Sequence, residues 1–155
     1  MSFQKRSIIK SDTKVLKDVY IDAIESISSN DYTHEQIQAW GSKGYLPGLL
    51  DKCLTEGKGW VSLEQGEIVA FAMRYPSNRL ALLYCRGFAK HKGHATGLIE
   101  KLEEEASQDG EKYLVTEASF LSQPLLSKMG WNIISQEEIL IAGILFKRYR
   151  MRKPL

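Results

Sequence analysis

An apolar strand that enters a glycine-spaced loop and leaves it as an amphipathic helix constrains this chain more than any other feature. The stretch reads Leu83-Tyr84-Cys85-Arg86-Gly87-Phe88-Ala89-Lys90-His91-Lys92-Gly93-His94-Ala95-Thr96-Gly97-Leu98-Ile99. Residues 80–85 form the apolar run, and Leu98, Ile99, Leu102 and Ala106 recur at helical spacing. Between them, Gly93, Ala95 and Gly97 let another group come close to the main chain. A helix that starts there has unpaired N–H groups and a positive dipole end. Such a loop can cradle an anion such as a diphosphate, with Lys90 and Lys92 adding charge beside it. It is not the GxxxxGK-S/T phosphate loop, and it lies too late in the chain for a dinucleotide GxGxxG. By spacing alone, a strand-to-helix turn with small residues for packing explains it equally well.

The rest of the chain surrounds this unit with short elements. Residues 3–9 read as a strand, and Ser11, Asp12 and Thr13 offer caps for a helix with Val15, Leu16, Val19, Tyr20, Ala23 and Ile24 on one side. Residues 28–31 make a turn. Thr33 and Gln36 fit a capping box for a short helix that ends near Trp40, and Pro47 starts another helical piece through Leu54. Residues 59–64 and 67–74 read as strands joined at Gln65-Gly66, and residues 75–78 as a loop. The helix after the glycine loop stops near Asp109-Gly110. A strand at 113–118 follows, then a short helix capped by Ser122 with Pro124 in its first turn. Residues 132–135 and 138–149 are the last expected strands. The order β-α-α-β-β-β-α-β-α-β-β predicts an α/β fold, a mixed sheet with helices on both faces.

Composition narrows the class. Hydrophobic residues at 43% and charged residues at 26% are ordinary for a soluble globular protein, and the 155-residue length is about one domain. A net charge of +2 gives no reason to expect nucleic acid. The basic ending, Lys147, Arg148, Arg150, Arg152 and Lys153, reads as a solvated strand end, since only Tyr149 interleaves it. Cys53 and Cys85 are too few for a disulfide framework, so reduced thiols in a cytoplasm are expected. Residues 1–6 lack the apolar core of a signal peptide. Residues 139–146, the most apolar run, are too few to span a bilayer and read as a buried strand. His91 and His94, with no acid or thiol nearby in sequence, are expected to flank the phosphates or face solvent, and no metal site is expected.

Lys90-His91-Lys92-Gly93-His94-Ala95, with Leu83-Tyr84-Cys85 before it, resembles the acetyl-CoA signature Q/R-x-x-G-x-G/A of the GNAT superfamily of N-acetyltransferases. Lys90 replaces the usual Gln or Arg, and Gly87 stands where Pro is common. Glu117-Ala118-Ser119 with Gly130-Trp131 resembles the family's E-A-S … G-F segment. Residues 32–40 resemble the Y-S-x-E-Q-I-x-A-W helix of one bacterial branch, and residues 149–155 its last strand. The resemblance implies one GNAT-like domain over residues 1–155, with a mainly antiparallel mixed sheet. It implies acetyl-CoA as cosubstrate, bound by Leu83, Tyr84, Cys85, Lys90, His91, Lys92, Gly93, His94, Ala95 and Thr96. The implied reaction is acetyl transfer to a primary amine of a small molecule or protein, without nucleic acid or membrane; a homodimer fits the same reading.

The resemblance assigns two further roles. A base must take the ammonium proton, and an acid can protonate the departing thiolate. Glu117, late in an apolar strand, is the candidate base; the alternative is that it pairs with a basic side chain or caps the next helix. Tyr84 is a second candidate, although strand alternation could equally place its ring in the core. Many relatives carry Phe-Tyr before Gly-Phe, with Tyr as the acid, but here the pair is Leu125-Leu126. That substitution keeps a non-catalytic coenzyme A-binding module open as the competing expectation.

Overall fold

Alternating apolar residues assemble a seven-stranded sheet that separates two hydrophobic clusters. The computed structural model describes residues 3–42 and 46–155. In chain order the elements are β1 (Gln4–Ser7), α1 (Thr13–Glu25), α2 (His34–Trp40), α3 (Leu46–Glu56), β2 (Lys58–Glu64), β3 (Glu67–Arg74) and β4 (Arg79–Cys85). They continue as α4 (His94–Gln108), β5 (Tyr113–Ala118), α5 (Gln123–Lys128), β6 (Asn132–Ile141) and β7 (Ile144–Pro154). The sheet order is β1-β2-β3-β4-β5-β7-β6, and every neighbouring pair except β4–β5 is antiparallel.

β3 shows how one strand serves both faces. Phe71 and Met73 join Leu16, Tyr20, Ile24 and Leu50 on the side of α1 and α3. Ala70 and Ala72 join Leu98, Ile99, Leu102 and Ala106 on the side of α4. The two alanines leave room for α4 to lie close against the sheet. Arg74, 1% exposed, ties the far end of α4 down by pairing with Glu105 at 3.2 Å and Asp109 at 2.5 Å.

The capping box expected at α2 forms: the Gln36 N–H donates to Thr33 Oγ1 at 3.1 Å, and the Thr33 N–H donates to Gln36 Oε1 at 3.0 Å. At α1, a 3₁₀ turn (Lys10–Asp12) precedes the helix. Asp12 accepts from the Ile9 N–H and from Arg6, whose guanidinium holds the carboxyl below its ordinary range. Ser122 does not cap α5 with its side chain; its own N–H donates to Ser119 Oγ at 3.2 Å.

The last strands correct the sequence reading. Residues 138–149 are not one strand. Ala142 and Gly143, at φ 49° and 78°, make a two-residue hairpin turn between β6 and β7. Leu140 and Leu145 beside that turn are 66% and 47% exposed, so the most apolar run is a hairpin tip, with Ile141 and Phe146 facing inward. The Ala-Gly turn lacks the Asn-Gly or Asp-Gly signal, and apolar content concealed it.

Candidate functional site

The sheet opens in one place. β4 and β5 pair only at Arg79↔Val115 and Leu80↔Thr116. Immediately beyond, the β3–β4 register slips: Met73 faces Leu82 while Arg74 faces Leu80, leaving Ala81 as an extra residue. A bulge bends its strand, and here it comes at the last point of β4–β5 pairing. The strands diverge into a cleft of about 800 Å³ lined by both of them, the start of α4, α1 and α2. From Ala81 to Cys85, β4 has no strand partner on the β5 side among the described residues. Its main-chain groups on that side are therefore available to a bound molecule.

One end of the cleft comes from consecutive residues. Leu83, Tyr84, Cys85, Lys90, His91, Gly93, His94, Ala95 and Thr96 all line it, whereas Lys92 stands just outside. The Tyr84 ring packs at 4.7 Å from Tyr20 and 5.9 Å from Phe71, which is the core placement that alternation allowed. Burial pushes the Cys85 thiol up to about 11, so it stays protonated at neutral pH. Gly87 approaches α1 so closely that a Cβ there would meet Ser26 Cβ at 2.6 Å, and its N–H donates to Asp22 Oδ1 at 2.9 Å. Asp22 was not a sequence candidate. Nothing local marks a helical aspartate as the anchor for a turn 65 residues later.

Gly93 opens α4 with φ 100°, and the first helical bond runs from the Gly97 N–H to the Gly93 carbonyl at 3.0 Å. The N–H groups of His94, Ala95 and Thr96 precede that bond at the helix end. Lys90 Nζ donates to the Ala23 carbonyl at 3.4 Å, near the end of α1, and Lys92 Nζ lies 3.4 Å from Glu64. The His94 ring departs from expectation: it is neither solvent-facing nor turned toward the loop. It is buried, stacked on Phe3 at 3.7 Å, and bonded to Ser62 Oγ at 2.6 Å and Glu64 Oε2 at 2.8 Å. The acidic partner that sequence proximity lacked comes from β2. The His94 bond, helped by Lys92, holds the Glu64 carboxyl below its ordinary range. His94 therefore brings its main chain to the loop and uses its side chain to fasten α4 to β2.

The other end draws on distant elements. Glu117 follows the last β4–β5 pair and accepts from Arg79 Nε at 2.9 Å through Oε2, while Oε1 has no partner among the described residues. The pairing with a basic side chain is one of the two expected alternatives. Tyr32, Trp40 and Phe146 form an aromatic wall, with Tyr32 at 5.4 Å from Trp40 and 6.0 Å from Phe146. Burial raises the Tyr32 hydroxyl above its ordinary range. His34, at the exposed start of α2, is not among the lining residues. Arg148 lines the cleft with its Nε donating to Glu137 at 3.1 Å. Leu126 is 1% exposed and packs with Trp131 and Met151 in the second cluster, so it does not stand in the cleft; its neighbour Leu125 does. Among the described residues, no three His, Cys, Asp or Glu side chains gather as a metal site requires, and no helix is long and apolar enough to cross a membrane.

Comparison with known proteins places this architecture. The acetyltransferase (GNAT) domain family matches residues 28–153. The uncharacterised N-acetyltransferase YafP of Escherichia coli K12 is 23% identical over 154 residues, covering 99% of this chain and 97% of that protein. A GCN5-related N-acetyltransferase from Rhodopseudomonas palustris superimposes with a TM-score of 0.92 at 24% identity, covering 100% of this chain and 97% of that one. The PaiA N-acetyltransferase of Thermoplasma acidophilum, solved in complex with coenzyme A, gives 0.77 at 16% identity, covering 100% of both chains.

Proposed function

We infer, from the premise that the chain belongs to the acetyltransferase (GNAT) family and is an acyltransferase, that it transfers an acetyl group from acetyl-CoA to a primary amine. The observation that carries this reading is the β4–β5 cleft with the α4 glycine loop at one end and Glu117 at the other. One domain spanning residues 1–155 would perform the reaction. The free thiols of Cys53 and Cys85 favour a reducing cytoplasm as its setting.

Acetyl-CoA enters as a substrate. The main chain of Leu83, Tyr84 and Cys85 would take its pantetheine arm as a strand-like partner. The N–H groups of His94, Ala95 and Thr96 would take the diphosphate, with Lys90, His91, Lys92 and the Gly93 bend around it. The amine nitrogen attacks the thioester carbonyl carbon, a C–N bond forms, and the C–S bond breaks. Coenzyme A leaves as the thiolate. Glu117 Oε1 accepts the proton that the ammonium gives up, and the second proton, shed by the nitrogen of the tetrahedral adduct as the amide forms, goes to water. A main-chain N–H on the open edge of β4 would stabilise the developing oxyanion. With Leu125 in the cleft and Leu126 buried in the core, neither supplies a proton, and the leaving thiolate takes its proton from water; a thiol pKa of about 8.5 makes that departure feasible near neutrality.

The test is release of free thiol from acetyl-CoA when a panel of primary amines is supplied, with the acetylated product identified by mass. Thiol release with matching N-acetyl product supports the reading. Tight acetyl-CoA binding without transfer to any amine overturns amine acetylation.

A further inference from the structure

We propose that the acceptor is an amine that also carries a carboxylate on an apolar body, an amino acid or a close relative, and that Arg148 selects it. The proposal rests on acetyl transfer in this cleft. It starts from the register of β5, β7 and β6. Glu117 lies opposite Arg150 and Ala118 opposite Tyr149, so Glu117, Arg150, Arg148 and Phe146 share one face of the sheet by alternation. Phe146 belongs to the cluster on that face, whereas Tyr149 and Met151 belong with the opposite one, as alternation requires. Arg148 is therefore the diagonal neighbour of Glu117, their backbones about 7–8 Å apart across the sheet.

Glu137, opposite Arg148 on β6, takes only its Nε. The two terminal nitrogens have no partner among the described residues, although the side chain lines the cleft and is only 25% exposed. The Glu137 bond thus aims the guanidinium and leaves two parallel donors for the bidentate geometry that a carboxylate accepts. At the other end of the diagonal, Glu117 Oε1 is the acceptor for an amine. An acceptor with its amine at Glu117 Oε1 and its carboxylate on the Arg148 guanidinium meets a charge-assisted hydrogen bond at each end. Tyr32, Trp40, Ile139 and Phe146 provide the apolar wall for its side chain. A polyamine would put a second cation against Arg148, so the arrangement opposes it.

Phenylalanine and 2-phenylethylamine differ only by the carboxylate and make a matched pair. At saturating acetyl-CoA, kcat/KM should favour phenylalanine by about tenfold or more, the weight of a charge-assisted hydrogen-bond pair. In Arg148→Met that ratio should fall toward one, and Arg148→Lys, which keeps the charge without the fork, should lie between. A ratio near one in the parent, or one unchanged in Arg148→Met, overturns the proposal. So does a folded parent that acetylates spermidine or 2-phenylethylamine but not phenylalanine, and in that case acetyl transfer itself stands. Absence of transfer to any amine overturns the acetylation reading and this proposal with it.

Discussion

The two ends of the cleft are built in opposite ways. The α4 end comes from an unbroken run, Leu83 through Thr96, in which strand, loop and helix follow one another. The Glu117 end comes from α2, β5, β6 and β7, with Arg79 arriving from the start of β4. A contiguous site depends on local backbone geometry and is vulnerable to a single residue's φ. A dispersed site depends on packing and register, so its residues carry ion pairs and core contacts as well as chemistry. Substitutions at the first end should therefore report mainly on acetyl-CoA, and those at the second on turnover and stability together.

The sharpest break should come at Gly93. Gly93→Glu forces a side chain into φ 100° and sets a negative charge among the helix N–H groups. Calorimetry should show acetyl-CoA affinity reduced by well over tenfold. Gly93→Ala isolates the backbone component, because a Cβ there meets nothing within 4 Å among the described residues. Its cost should be about 1–2 kcal/mol. A folded Gly93→Glu with parental affinity would remove the loop from the site.

At the other end, Glu117→Gln should lower turnover roughly a hundredfold with acetyl-CoA affinity nearly unchanged. If the carboxylate serves only to pair with Arg79, the variant will lose thermal stability and keep its rate. That outcome leaves the contrast between the two ends intact but removes the base.

The Leu125-Leu126 pair sharpens the comparison within one helix. A phenol at Leu126 must enter a packed cluster beside Trp131 and Met151, and overpacking of that kind costs about 1–3 kcal/mol. Leu126→Tyr should therefore lower the melting temperature without raising the rate. Leu125→Tyr puts the phenol in the cleft, where a gain in turnover at saturating acetyl-CoA would mean that thiolate departure limits the parent.

The smallest effect concerns the fastening of α4. Glu64, bonded to His94 and Lys92, has its folded pKa below the ordinary value of about 4.3. A lowered folded pKa makes the bond's stabilisation fully present above that ordinary value, and it is lost as pH falls through the folded pKa. Melting curves between about pH 5 and 3 should thus fall more steeply for the parent than for Glu64→Gln. Parallel curves would show that the His94–Glu64 contact does not influence stability.

The amino-acid pattern by itself determined the local units: the strand-loop-helix around Gly93, the α2 capping box, the β2–β3 hairpin and the extent of β5. Each depends on neighbours within a few residues, through turn chemistry, caps and periodicity. It also carried the family resemblance, because ordered short motifs survive at low identity. Only the tertiary structure decided what each side chain faces. His94 meets Glu64 thirty residues away, Asp22 holds Gly87, and Glu117 meets Arg79. Leu126 faces the core and Leu125 the cleft, a choice set by how α5 lies on the sheet. The hairpin at Ala142-Gly143 turned an apolar run into two strands and set the register that brings Arg148 onto the face of Glu117. Long-range pairing decides these outcomes, and a one-residue slip in register would reverse every face.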